Sequence, residues 1–92
     1  MADSEKQICY IISFDAPAEA QQKLAEAIKA YGTWAHITES TWAVVTSKSH
    51  KKVRDNLSSL LPEKGRLFVV RSGSVAAWSN VRCRNEWLKR YL

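Results

Sequence analysis

The chain has 92 residues, of which 46% are hydrophobic, with four tryptophans and a formal net charge of +5. This length predicts one domain over residues 1–92, and the apolar content excludes a disordered protein. No apolar run approaches the roughly 18 residues of a membrane span, and the polar N-terminus lacks the features of a secretory signal. We therefore expect a cytoplasmic protein with no membrane partner.

The two cysteines, Cys9 and Cys83, are too few for the disulfide framework of a small secreted domain. Neither has a second ligand nearby at the spacing of a zinc site. We expect two reduced thiols, with Cys9 packed in the core.

The first half of the chain predicts a strand, a helix and a hairpin. Residues 7–14 are an almost unbroken run of β-forming residues, typical of a central strand. Asp15 and Pro17 then mark a helix start, and Gly32 marks its end. Residues 31–46 place two tryptophans on either side of a short polar break, with apolar residues alternating on both sides. This pattern is typical of two antiparallel strands joined by a tight turn.

The second half predicts a helix, a strand and a basic tail. Residues 47–49 supply caps for a second helix, which residues 62–65 end. Residues 66–71 have the composition of a fourth strand, and residues 72–74 that of a turn. The tail over residues 72–92 ends in a short basic helix.

This element order predicts an α+β, ferredoxin-like β-α-β-β-α-β fold. Such a fold has a four-stranded antiparallel sheet with two helices on one face, here over a core of residues 7–71 and followed by a short C-terminal helical tail. We expect the tail or a second copy of the chain to cover the other sheet face. A homodimer is expected because a chain this small has difficulty covering four tryptophans.

Charge is distributed unevenly along the sequence. Residues 1–46 hold three lysines and six acids, a net charge of −3, whereas residues 47–92 hold eleven Lys or Arg and three acids, a net charge of +8. This asymmetry indicates an anionic partner, DNA or RNA first, although a solvated basic face without a partner is an equal alternative. The residues expected to contact a phosphate backbone are Lys51, Lys52, Arg54, Arg66, Arg71, Arg82, Arg84, Lys89 and Arg90.

Two residues are candidates for chemistry. Asp15, at the carboxyl end of the first strand, has the position of a Mg²⁺ ligand shared by two chains across a dimer axis, but an acid at a helix start is the more common role. No other cofactor is indicated. His36 has the chemistry of a general acid or base, but a hydrogen-bonded strand histidine is favoured. Trp78 and Trp87 either stack on bases or, with more weight, pack as anchors of the core or of a dimer interface.

Four segments carry a family resemblance: residues 12–15, 31–42, 67–71 and 86–89. They resemble the SinR-like family of small bacterial proteins, relatives of the small ferredoxin-fold subunit of the CRISPR spacer-acquisition complex. The similarity spans about residues 7–91. The Gly-Thr-Trp and Glu-Ser-Thr-Trp strings make it more specific for the SinR-like group.

The resemblance implies a symmetric homodimer that holds duplex DNA along its backbone between integrase subunits. It also implies, for some members, a metal-dependent nuclease with magnesium at the position of Asp15. The Trp-rich basic tail departs from the partner-binding extension of the CRISPR subunit, which weighs against an integrase partner. Three functions stay open: a non-catalytic dimer that binds double-stranded nucleic acid, which we favour; a magnesium-dependent endonuclease (endoribonuclease or DNase) using Asp15; and a protein-interaction module of a toxin-antitoxin or defence locus.

Overall fold

A four-stranded antiparallel sheet organises the chain. The computed structural model describes residues 6–73 and 75–92. The elements are, in chain order, β1 (Ile8–Asp15), α1 (Ala18–Lys29), β2 (Thr33–Thr38), β3 (Thr41–Thr46), α2 (His50–Ser58), β4 (Arg66–Arg71) and α3 (Asn85–Tyr91). The strand order across the sheet is β2-β3-β1-β4, and every neighbouring pair is antiparallel. The predicted ferredoxin-like order with a C-terminal helix is confirmed.

The main core lies between one sheet face and the helices α1 and α2. Successive strand side chains point to opposite faces, and in β1 the alternate residues Tyr10, Ile12 and Phe14 are the buried ones. They form one cluster with apolar side chains of α1, α2 and β3, namely Leu24, Ile28, Val53, Leu57, Trp42 and Val44. The two helices therefore share one face of the sheet, as the sequence predicted.

The ends of the helices follow local chemistry. α1 starts directly after Pro17, and the chain leaves it through Gly32, whose φ of +97° is in the left-handed region that favours glycine. The side chain of Ser49 caps α2, which confirms the predicted cap. α2 ends at Ser58, earlier than the stop predicted at residues 62–65. The amides of Leu60 and Leu61 donate to carbonyls three residues back, so the chain tightens into turns before the proline.

The C-terminal tail covers part of the second sheet face. The backbone amide of Arg82 donates to the carbonyl of Ile37 in β2, over 2.9 Å. Leu88 of α3 is only 1% exposed, although it lies outside the main core cluster. Ala35 and Ala43, which pair across β2 and β3, are also buried on this second face. Of the two expected ways to cover this face, the tail or a second copy of the chain, the structure shows the tail. Of the predicted turn at residues 72–74, Ser74 lies outside the described residues.

On the β4 side, the described residues leave part of the second face exposed. Phe68 is 62% exposed and Val70 is 42% exposed, and both alternate with residues that face the helices. Cys9 lies on this second face too, because it alternates with Tyr10, so it is half-buried rather than part of the core cluster. Neither Cys9 nor Cys83 is in a disulfide. None of the helices in the described ranges is long and apolar enough to cross a membrane.

Candidate nucleic-acid interface

The nine basic residues predicted to contact nucleic acid are all exposed, but they lie on three separate elements of the fold. Three are on α2, two are at the ends of β4, and four are on the tail. Since exposed charge alone does not identify a binding site, the neighbours of each group decide which group suits a polyanion.

On α2, an acidic neighbour offsets part of the basic charge. Arg54 Nη2 lies 2.9 Å from Asp55 Oδ1. Asp55 also lines, with Lys48 and Lys52, a surface pocket of about 480 Å³ between the two core helices. A carboxylate among these cations weakens the attraction for phosphate, so this surface is the weaker candidate.

Around Asp15 the charges are also mixed. The Asp15 side chain is exposed, and its Oδ2 lies 3.9 Å from Arg66 Nη1. Both residues line a pocket of about 550 Å³ with Glu63 and Lys64. The described ranges, 6–73 and 75–92, contain no group of three or more His, Cys, Asp or Glu that would hold a metal ion. A neighbouring guanidinium repels a divalent cation, which weighs against a magnesium ion held by Asp15 of a single chain. The predicted site shared by two chains stays a prediction.

Beside β2, the tail brings arginines next to aromatic side chains. Arg82, Arg84 and Trp87 line a pocket of about 410 Å³ together with Trp34 and His36. The charged side chains among the described residues that line it are the two arginines, and both are exposed. We call this site the β2 pocket. Cationic and aromatic groups without a lining carboxylate suit a phosphorylated, flat ligand.

An aromatic cluster forms the wall of the β2 pocket. The His36 ring stacks on Trp42, with centroids 3.9 Å apart and planes at 9°, and Trp34 is tilted against Trp42 at 5.7 Å. Lys29 Nζ lies over the Trp34 ring, 5.1 Å from its centroid, within cation–π range. His36 Nε2 donates to the carbonyl of Glu39 over 3.0 Å. The interpretation of His36 as a hydrogen-bonded strand histidine is confirmed.

The two tail tryptophans have packing roles. Trp78 Nε1 donates to Asn85 Oδ1 over 3.1 Å, and Trp87 is tilted against Tyr91 with centroids 4.6 Å apart. Both are partly buried. These contacts agree with the greater weight given to packing from the sequence.

Two residues of the β2 pocket region were missed as site candidates. Lys29 counted only toward the charge of the first half, and Trp34 only marked a strand. The sequence held a signal for both residues. Lys29 lies in the last turn of a helix and Trp34 at the start of the next strand, with only the short turn at Gly32 between them, so the two side chains are expected to be close. What the sequence did not show is that the tail returns to this edge.

Comparisons of the chain with models of known protein families, with curated proteins and with solved structures find no match. The resemblance to SinR-like proteins therefore stays a prediction. Because one fold hosts many functions, the fold alone does not identify the function, and the side chains of the site have to indicate it.

Proposed function

We propose that the protein is a homodimer that binds nucleic acid, double-stranded in the first instance, by contacting its phosphate backbone at the β2 pocket. The observation that carries the proposal is the exposure of Arg82 and Arg84 beside Trp34, with no carboxylate among the described residues that line the pocket. A guanidinium forms strong, often bidentate hydrogen bonds with phosphate oxygens.

The position of the β2 pocket residues supports this choice over the other basic groups. The amide of Arg82 is bonded to β2, so the arginines start from a fixed backbone rather than a free tail. Lys29, which does not line the pocket, adds a third cation over the ring of Trp34. By contrast, Arg54 and Arg66 each lie beside an aspartate.

Backbone contacts of this kind position a nucleic acid without reading its sequence. The net charge of +8 over residues 47–92 adds a long-range attraction for any polyanion, which speeds association. We therefore propose binding that is largely independent of sequence and strongly dependent on salt. A cytoplasmic location, where thiols remain reduced, is part of the proposal.

The uncovered side of β4 supports the homodimer. β4 is an edge strand, and its outer side has no backbone partner within the described chain. An edge of this kind pairs readily with another strand. Two β4 strands pairing antiparallel about a twofold axis would continue the sheet and bring Phe68 and Val70 of both copies together.

Anisotropy titrations of a labelled blunt duplex DNA at several salt concentrations test the binding proposal. The double variant Arg82→Gln/Arg84→Gln is expected to bind more weakly and to lower the slope of log K against log salt by about 2, because each cation that neutralises a phosphate contributes roughly one to that slope. The matched control is Lys23→Gln/Lys64→Gln, which removes the same charge from exposed positions outside the β2 pocket.

The control is expected to keep the wild-type slope. Equal reductions of the slope in both double variants would show that net charge, not the β2 pocket, holds the DNA. An absence of binding by the wild-type protein at low salt would overturn the nucleic-acid function itself.

A further inference from the structure

We infer that the β2 pocket accepts an unpaired nucleobase stacked on Trp34, so that the protein prefers nucleic acid with a single-stranded segment over a blunt duplex. The inference rests on the proposed function and adds the class of nucleic acid. It starts from the exposure of Trp34, which at 36% is the one exposed tryptophan of the four.

Trp34 is held in place before any ligand arrives. Its ring is tilted against Trp42, which is buried and also stacks with the His36 ring. Lys29 Nζ lies over Trp34 as well. Since little side-chain freedom is left to lose, a flat ligand that stacks here gains affinity at a low entropic cost.

The rest of the pocket suits a nucleotide. Its volume of about 410 Å³ lies within the range of small-ligand sites, roughly 300–1,000 Å³. Arg82 and Arg84 border the same space as Trp34. A stacked base would therefore bring its flanking phosphates to two guanidinium groups, the combination typical of single-strand binding sites.

Stacking on the second sheet face, as in RNA-binding modules built on an open four-stranded sheet, is not available on β2 and β3. There Ala35 and Ala43 are buried and the tail covers the sheet. In our proposal the base stacks on Trp34 instead, the exposed aromatic residue on the helix-facing side of β2. Phe68, the other exposed aromatic, lies at the edge proposed for the dimer and has no aromatic neighbour among the described residues.

The test compares a blunt DNA duplex with the same duplex carrying a single-stranded overhang of about eight nucleotides, a length within known site sizes. Wild-type protein is expected to bind the overhang substrate about tenfold more tightly, a factor that lies within the range contributed by stacking of one base on an aromatic side chain. Trp34→Ala is expected to abolish this preference, so that the variant binds the overhang substrate and the blunt duplex with equal affinity.

Two further variants control for the possibility that Trp34→Ala loses the preference because it folds poorly. Trp34→Leu keeps apolar contact with Trp42 but offers no aromatic face, so it is expected to lose the preference. Trp34→Phe is expected to keep most of it. Equal affinity of the wild type for both substrates, or a preference that survives in Trp34→Leu, would overturn the inference while the proposed function stands. Failure to bind either substrate would overturn the proposed function as well.

Discussion

Trp42 connects the core of the molecule to its candidate site. In the sheet it pairs with Ile12 of β1, and both residues belong to the core cluster. Its ring also touches Trp34 and His36, two of the aromatic residues that line the β2 pocket. The geometry of the pocket therefore depends on the same packing that stabilises the fold.

Among single residues, His36 and Asp15 show which side-chain surroundings can be predicted from the neighbouring sequence and which cannot. The bond from His36 to Glu39 follows from a tight hairpin, in which a strand residue lies close to the turn, so a structural role was predictable. The surroundings of Asp15 were not predictable. Arg66 lies beside it in the neighbouring strand β4, which is far from Asp15 in the sequence. Cys9 was misplaced because a run of apolar residues does not reveal which of its two faces meets the helices.

Cys9 supplies a prediction at the residue scale. Burial raises the pKa of its thiol from 9.0 to about 11, so less thiolate is present in the folded protein. In a Cys83→Ser background, alkylation of Cys9 by iodoacetamide at pH 9 is expected to be on the order of 50-fold slower in the folded than in the unfolded protein. The rate should rise until the pH passes about 11.

The raised pKa of Cys9 also makes the free energy of unfolding depend on pH. The unfolded chain loses the Cys9 proton near pH 9 and the folded chain near pH 11, so the folded state binds more protons in between. This contribution to the free energy of unfolding is fully present below pH 9 and is lost as the pH rises to 11. An alkylation rate equal in folded and unfolded protein would contradict the partial burial of Cys9 on the second sheet face.

At the scale of elements, the patterns that are local in sequence predicted the fold well. The β4 bounds, the Ser49 cap and the two tryptophan strands follow from alternation, capping chemistry and turn residues over a few positions. The path of the tail did not follow from any of these. Its contact with Ile37 joins distant parts of the chain, and the basic residues around Arg82 do not specify which sheet edge they meet.

The packing of α3 gives a prediction at this scale. Leu88 is almost fully buried on the second sheet face, so Leu88→Ala is expected to lower the free energy of unfolding by about 2–5 kcal/mol. Urea denaturation measures this decrease. Amide hydrogen exchange in α3 should accelerate at the same time, because its buried contact with the sheet is gone.

The neighbouring exposed position serves as the control. Lys89→Ala, one residue along the same helix, is expected to change the free energy of unfolding by less than about 0.5 kcal/mol. Equal stabilities of Leu88→Ala and Lys89→Ala would show that the tail does not pack on the sheet in solution.

At the scale of the whole molecule, the two edges of the sheet differ in chemistry. The β2 side has aromatic rings and arginines, whereas the β4 side has an open strand edge with exposed apolar residues. Pairing through β4 would leave both β2 pockets free at opposite ends of one continuous sheet. A dimer of this form would offer two sites to one long nucleic acid, and linked sites raise the overall affinity without any new contact.

The β4 edge therefore carries the last prediction. Phe68→Asp places a charge at a position that is 62% exposed in one chain, so the fold should tolerate it. In the dimer, two carboxylates and no aromatic contact would meet near the twofold axis, and like charges directly opposite each other destabilise strand pairing. Sedimentation velocity is expected to give a dimer for the wild type and a monomer for Phe68→Asp. A wild-type protein that sediments as a monomer at every concentration tested would exclude pairing through β4, and a variant that stays dimeric would place the interface elsewhere.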